Sequence, residues 1–343
     1  MVKQPPSIVH VAERAGVSIA TASRVMSNSS YPVSPATRQK VLKAAGELGY
    51  APNSLARSLR SQRSKLIAAL VGDNADPYFA EIMRGVEEVA NEHGYLTIVC
   101  NTDRSPIKEL NYLRALRDYR ADGIIFAGGG LNEPGHTQRV EEIIKEVTER
   151  GAGVITLAQH TLHVPSVQAD NFSGARDMTA RLIELGHHRI AFVTGPSNLT
   201  VANVRLQGYM TSMIEHGLSI DPNLIVAGNF DLAGGERAAR SISQMTDESR
   251  PSAVFCANDE TAFGVMLGLQ RLGWRVPEDI SVCGFGGLPM AQMGLTSVEI
   301  PLRHLGRTGA LKLFTLLNQE EVPMLEVLPT TIVERGSTAS LRS

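Results

Sequence analysis

Residues 7–49 read SIVHVAERAGVSIATASRVMSNSSYPVSPATRQKVLKAAGELG, and three short helical patterns follow one another in them. Ser7 is a good N-cap, and Ile8, Val11, Ala12 and Ala15 recur at the spacing of one helical face before Gly16 breaks the run. Ser18 caps a second pattern from Ile19 to about Met26, with Ala22, Val25 and Met26 turned inward, and Asn28-Ser29-Ser30 marks a loop. Ser34-Pro35 opens the third, a capping residue followed by proline at the first helical position. Its expected inner face is Val41, Leu42, Ala45 and Leu48, and Gly49 ends it. Only Gly16-Val17-Ser18 separates the first two helices, which is the short glycine-containing turn of a helix-turn-helix.

In that motif the start of the second helix reaches base edges in the major groove. Here those residues are Ser18, Ile19, Ala20, Thr21, Ser23 and Arg24. An arginine bonding O6 and N7 of a guanine is worth about 1–3 kcal/mol of discrimination, and an apolar pair such as Ile19 and Ala20 suits thymine methyls. A three-helix bundle that contacts protein is the alternative. The next stretch, Tyr50-Ala-Pro-Asn-Ser-Leu-Ala-Arg-Ser-Leu-Arg-Ser, places Asn53 as the cap of a short helix lined by Leu55, Ala56 and Leu59, with Arg57, Arg60 and Arg63 elsewhere on its surface. About nine residues are too few for an isolated helix, so this segment needs a partner to order it. A leucine among arginines has the composition of a minor-groove wedge; an ordinary linker is the alternative.

Charge divides at the same place. The whole chain of 343 residues has a net charge of -2, which points away from nucleic acid. Residues 1–65 hold ten basic side chains against only Glu13 and Glu47, a net +8, so the other 278 residues carry −10. A basic head on an acidic body suggests that one end meets a polyanion, although a solvated basic face has the same composition. Hydrophobic residues at 43% and charged residues at 20% are ordinary globular values, and two or three domains are expected for this length. Runs such as Leu66–Val71 fall far short of the roughly 20 residues of a membrane helix. Met1-Val-Lys-Gln-Pro-Pro has no apolar signal run after it, and Cys100, Cys256 and Cys283 have no paired spacing. The expected compartment is the cytoplasm, with no membrane partner, no disulfide framework and no metal or other cofactor.

The run Val9–Leu59, through "VAERAGVSIATASRVMSN", "VSPATRQKVLKAAGELGYAPN" and "ARSLR", resembles the DNA-binding head and hinge of the LacI/GalR family of bacterial transcription regulators. The resemblance implies that Ile19 and Ala20 occupy the two variable base-reading positions, that Arg24 is the base-reading arginine and that Leu59 is levered into the centre of the operator. Asn28, Tyr50, Asn53, Ala56 and Arg57 complete the DNA-facing set. His10 stands where an acidic residue is usual and Ala22 where valine is usual, which reads as changed capping or packing.

Beyond Lys65, short β-rich runs alternate with helical patterns. The runs are Leu66–Val71, Leu96–Cys100, Gly123–Phe126, Gly153–Leu157, Arg189–Thr194, Ser252–Cys256 and Ile280–Gly284. The helical patterns include Phe79–His93, Ala175–Leu185, Val201–His216 and Thr261–Leu272. Alternation of this kind predicts parallel sheets covered by helices, and about 270 residues suggest two lobes with a ligand cleft at the carboxyl ends of the strands. There is no P-loop, dinucleotide fingerprint, nucleophile elbow or H-E-x-x-H, so no enzyme is expected. Gly128-Gly129-Gly130 reads as a mobile loop at a sheet edge, and His187-His188 as a helix end leading into a strand.

The body also resembles that family's effector domain, itself similar to periplasmic sugar-binding proteins, through "DPYFAEIMRGVEEVANEHGY", "ADGIIFAG", "VQADN", "ELGHHRIAFVTG", "RLQGY", "CANDETAFGVMLGLQRLGWRVPEDISVCGF" and "LPTTIVERGSTA". The implied architecture is an all-α helix-turn-helix head plus an α/β, type I periplasmic-binding-protein-like, two-lobed effector domain. The head is expected at 1–51, the hinge helix and linker at 52–64 and the effector domain at 65–335. Lobe one is expected at about 65–163 and 294–320, lobe two at 164–293 and 321–335, and a tail at 336–343. Arg205 and Asn258 match ligand positions of the family; Phe285 and Gly286 are expected at the ligand as well, with Gly286-Gly287 replacing the family's usual acidic strand end. Asp73, Tyr78 and Phe79 follow the first strand and are expected on the first-lobe wall; Asp170-Asn171 is expected to shape the crossing between lobes. The implied function is a homodimeric regulator, most commonly a repressor, on an approximately palindromic operator of double-stranded DNA. Its effector would be a sugar, sugar acid, sugar phosphate or nucleoside, with a co-repressor or a co-repressor protein as the alternative. A two-lobed α/β enzyme is the competing class.

Overall fold

The computed structural model describes residues 6–27, 31–50 and 63–341. The chain divides into two units, Met1–Ser64 and Lys65–Ser343. In the first, α1 (Ile8–Ala15), α2 (Ile19–Met26) and α3 (Pro35–Leu48) surround Val11, Ala12, Ala22, Val25, Val41, Ala44 and Ala45. The caps follow the sequence chemistry. Ser18 Oγ accepts from Thr21 N at 3.1 Å and Ser34 Oγ from Thr37 N at 3.2 Å, while Gly16 and Gly49 close α1 and α3 in the left-handed region. His10 has a capping task, since Ser7 N donates to its Nδ1 at 3.1 Å. One expectation fails. Leu42 is 51% exposed and Ala44 takes its place inside, because Ala44 lies one turn after Val41 on the side that meets α1 and α2.

The second unit has two six-stranded sheets. The first is built from β1 (Leu66–Val71), β2 (Leu96–Asn101), β3 (Gly123–Phe126), β4 (Gly153–Thr156), β5 (Ser166–Ala169) and β11 (Leu325–Leu328), in the order β11-β5-β4-β3-β1-β2 and parallel throughout. The second is built from β6 (Ile190–Val193), β7 (Ile225–Val226), β8 (Ala253–Cys256), β9 (Ser281–Gly286), β10 (Thr296–Glu299) and β12 (Thr331–Val333), in the order β12-β10-β9-β8-β6-β7 with only β12 antiparallel. Central strands such as LIAALV, GIIF, IAFV and AVFC are apolar on both faces because helices cover both sides. On the first lobe these are α4 (Pro77–Glu92), α5 (Pro106–Asp118), α6 (His136–Thr148) and α11 (Leu302–Leu317); on the second they are α7 (Asn171–Glu184), α8 (Thr200–Glu215), α9 (Leu232–Ser243) and α10 (Asp259–Arg271). Helices α4 and α11 cross backbone to backbone: a Cβ on Gly85 would overlap Arg303 O, and one on Gly306 would overlap Ile82 O.

The chain passes between lobes three times, near residues 170, 300 and 329. These points correct the boundaries expected at 163, 294 and 320. β5 and β11 belong to the first sheet and β10 to the second, because Leu325–Leu328 pairs with Ser166–Ala169 and Thr296–Glu299 with Cys283–Gly286. Asp170 stands at the first crossing and caps α7 by accepting from Ser173 N at 3.0 Å. The end of the chain is also more than a tail. Ser337 is buried and exchanges bonds with Val282, while Leu341 N donates to Leu185 O at 2.8 Å. His187 holds the same segment through Ala339 O at 3.0 Å, with Ser252 Oγ on its other nitrogen at 2.9 Å.

Candidate functional site

In the first unit the start of α2 faces outward. Ile19 is 50% exposed, and Ala20 and Arg24 are exposed with it. Ser18 is the cap of the helix, hydrogen-bonded to Thr21 by backbone and side chain, which fixes the orientation of that tip. The Arg24 guanidinium lies over the Tyr31 ring, 3.9 Å from its centroid. Tyr31 escaped the sequence reading. It stands across a loop from α2, and only the fold brings it to Arg24. Ser23 and Tyr50 are half-buried. Asn28, Asn53, Ala56, Arg57 and Leu59 lie outside the described residues.

In the second unit a cavity of about 810 Å³, counted out to its open mouth, lies at the carboxyl ends of the strands. Tyr78, Phe79, Arg205, Asn258 and Phe285 all line it. Two expected residues do not. Asp73 is spent on the turn before α4, accepting from Ala75 N at 3.0 Å, and Asp76 lines the wall instead. Gly286 points its missing side chain toward Asp259 rather than the cavity, since a Cβ there would lie 3.4 Å from Asp259 Oδ2. Its φ of 137° and the 72° of Gly287 are values that L side chains rarely adopt, and a Cβ on Gly287 would lie 2.7 Å from Glu299 Cγ. This turn is built for glycine.

The second-lobe wall is anchored by Arg205. Its Nε donates to Asn171 Oδ1 at 2.8 Å and its Nη1 to Ala257 O at 2.6 Å, and the guanidinium lies 3.9 Å from the Phe285 ring centroid. Burial holds its pKa down, to about 10, so it remains cationic at neutral pH. Asn258 caps α10 by accepting from Thr261 N and donates to Phe230 O at 3.2 Å. Phe230 itself has a φ of 60°, an uncommon conformation for a bulky residue, and its ring fills the space over Gly195. Asp259 is fully buried, accepting from Ser297 Oγ at 2.5 Å and Leu288 N at 2.7 Å; burial nevertheless raises its pKa.

The first-lobe wall adds Asp76, Thr102, Arg104, Glu109 and Phe126, none of which carried a motif. Asp76 caps α4 through Tyr78 N at 2.9 Å and lies 3.9 Å from Arg104; burial raises its pKa against both partners. Glu109 bonds the buried His136 at 2.8 Å. The glycine run at 128–130 is no sheet-edge loop. β3 is an interior strand, Gly128 and Gly129 line the cavity, and a Cβ on Gly129 would lie 2.9 Å from Val201. The same loop fastens the lobes together: Leu131 bridges Leu199, Asn132 N donates to Asn198 O at 2.7 Å, and Thr200 N donates to Gly130 O at 3.1 Å. Among the described residues no cluster of His, Cys, Asp or Glu suits a metal ion, and no helix is long and apolar enough to cross a membrane.

A helix-turn-helix head and a two-lobed, type I periplasmic-binding-like domain with a cleft define the class: a DNA-binding transcriptional regulator with a ligand-binding domain. The family described as "Bacterial regulatory proteins, lacI family" matches residues 7–53, and "Periplasmic binding proteins and sugar binding domain of LacI family" matches residues 64–329. The chain belongs to the LacI family of bacterial regulatory proteins. It is 36% identical over 337 residues to the HTH-type transcriptional regulator RegA of Clostridium saccharobutylicum, covering 97% of this chain and 99% of the relative. With catabolite control protein A of Priestia megaterium it shares 34% over 339 residues, 97% and 99% of the two chains. Its fold matches the lac repressor dimer bound to operator and the anti-inducer ONPF at a TM-score of 0.85 and 27% identity, covering 98% and 100%. It matches the CelR–cellobiose complex at 0.69 and 31%, covering 97% and 99%.

Proposed function

We propose that this protein is a homodimeric transcription repressor of the cytoplasm that releases an approximately palindromic operator when a small molecule, a sugar or a relative of one, occupies the cleft. One observation carries the reading: a helix-turn-helix unit with an exposed apolar tip at Ile19 and Ala20 shares a chain with a two-lobed unit holding an open cleft lined by residues of both lobes. Each head would read one half-site, so twofold symmetry in the protein asks for a palindrome in the DNA. The lac repressor relative is a dimer on its operator, and CelR binds cellobiose. Self-association is supported by the first sheet's edge strand, β2, where Leu96 is 67% exposed and Ile98 and Val99 stand beside it. Leu59 is read from sequence as the minor-groove wedge. The cleft would act by setting lobe closure, and operator and ligand would then shift each other's affinity by the same factor.

The test is selection of bound sequences from a random DNA library at stated salt, followed by gel shift with and without a panel of sugars, sugar acids, sugar phosphates and nucleosides. A palindromic consensus whose complex dissolves with one ligand supports the reading. A consensus without symmetry, or a complex indifferent to every ligand that binds the protein, contradicts it.

A further inference from the structure

The cleft holds a buried cation that no carboxylate of the protein neutralises by contact. Arg205 is only 4% exposed, and its hydrogen-bond partners, Asn171 Oδ1 and Ala257 O, are neutral. Its Nη2 has no hydrogen-bond partner among the described residues. Asp259 and Asp76 act on it only through space, and their oxygens are engaged elsewhere, Asp259 with Ser297 and Leu288, Asp76 with Tyr78 N and, at 3.9 Å, Arg104; Glu109 bonds His136. A second cation comes from the opposite lobe. Arg104 is held at a φ of 54°, and its guanidinium lies 5.9 Å from the Phe230 ring centroid, the same distance as that of Arg205 from the same ring. The rest of the lining is largely apolar, with Tyr78, Phe79, Phe126, Phe230 and Phe285 among it, and the strand-end turn at Gly286-Gly287 offers no side-chain acceptor.

A neutral polyol needs convergent acceptors for its hydroxyl protons, and those on this wall, Asp76, Thr102, Glu109 and Asn258, already take protein donors. A desolvated guanidinium with an open N–H edge instead gains most from a charged acceptor, which it binds by planar, charge-assisted hydrogen bonds. We propose, resting on the effector reading above, that the ligand of this cleft is an organic anion with an apolar or aromatic body, whose carboxylate or phosphate is taken by Arg205 of one lobe and Arg104 of the other. An anion bridging the lobes favours the closed arrangement, which connects its charge directly to the switch.

Four probes separate the chemistry at constant ionic strength: benzoate, phenyl phosphate, benzyl alcohol as the neutral ring and glucose as the neutral polyol. Calorimetry on the full-length protein is expected to find at least one anion bound about tenfold or more tightly than either neutral probe, a gap of about 1.4 kcal/mol. Benzoate and phenyl phosphate distinguish a carboxylate ligand from a phosphate one. Arg104→Gln is expected to erase most of the preference while changing benzyl alcohol binding by less than about twofold, and Arg205→Lys to weaken the anion about tenfold through loss of the planar fork. Glucose bound more tightly than both anions, no binding of either anion, or a preference untouched by Arg104→Gln each overturns the assignment. Operator affinity measured with each bound probe keeps the two readings apart. A neutral ligand that binds and moves operator affinity overturns the anion and leaves the regulator. An anion that binds through Arg104 and moves no operator affinity leaves the anion site and contradicts ligand control.

Discussion

The reading unit and the sensing unit are held together by different means. The first encloses only short side chains, valine and alanine from three adjacent helices, with larger ones such as Ile8, Met26 and Leu48 half-buried around them. The second rests on two sheets sandwiched by helices, with Phe192, Tyr209, Phe255 and Phe285 fully buried in one lobe. The difference extends to their sites. The tip of α2 is a run of consecutive residues, so its chemistry is contiguous in sequence. The cleft takes Phe79, Arg104, Phe126, Arg205, Asn258 and Phe285 from six separate segments, and only strand order brings them together. A small unit with a local site loses function one contact at a time, whereas a large unit with an assembled site depends on its packing first.

The strongest way to test that contrast is Gly85→Ala. The new methyl meets the backbone of α11, which cannot rotate away, so a loss of about 3 kcal/mol is expected in the sensing unit. Calorimetric melting reads it, and a transition unchanged within about 0.5 kcal/mol would mean that the α4–α11 crossing tolerates respacing. Arg24→Ala comes next. It is expected to cost about 1–3 kcal/mol at one operator base pair, measured as lost discrimination among single-base operator variants. A uniform loss across all variants would instead assign Arg24 to phosphate. Ser34→Ala removes the cap of α3 and is expected to lower the stability of the reading unit by about 1 kcal/mol, followed by helical signal during denaturation.

The smallest effect at neutral pH concerns His160, beside Phe126 and near His136. A free imidazole takes up its proton near 6.5, whereas burial, aided by His136, holds this one down at about 4. Between those values the unfolded chain binds a proton that the native chain does not, so native stability falls as pH drops from about 6.5 toward 4 and is unaffected above that window. Asp76 and Asp259, raised by burial, act in the opposite sense, so the relevant quantity is the difference between parent and His160→Gln at each pH. The variant is expected to show a flatter acid limb; an identical limb would show that His160 is already protonated in the native state or exposed to solvent.

The same contrast explains what was legible in advance. Caps and breakers are local chemistry, and Ser7, Gly16, Ser18, Ser34 and Gly49 stand where the sequence pattern predicted helix ends. Apolar runs such as Leu66–Val71 and Gly123–Phe126 predicted strands with the observed bounds. β5 reads Ser-Val-Gln-Ala and β10 Thr-Ser-Val-Glu, too short and polar to stand out, and missing these two together with β11 displaced the three crossings between lobes. Helices α5, α6, α9 and α11 were likewise not singled out, and with α5 and the segment before it went Arg104 and Glu109. Asp73 and Asp76 are chemically alike in sequence; the turn before α4 decides that the first is used locally and the second faces the cleft. Tyr31 and Arg104 gain meaning only from the rings and charges that folding sets beside them.

The central claim is that the cleft controls the head. Its most direct test is the pair of affinities that linkage ties together, operator affinity with and without saturating ligand and ligand affinity with and without operator, on the full-length protein at one salt concentration. The account predicts the same factor from both directions, about 5–150-fold, and its loss in Arg205→Ala. A ligand that binds the cleft while both ratios stay at one would contradict it.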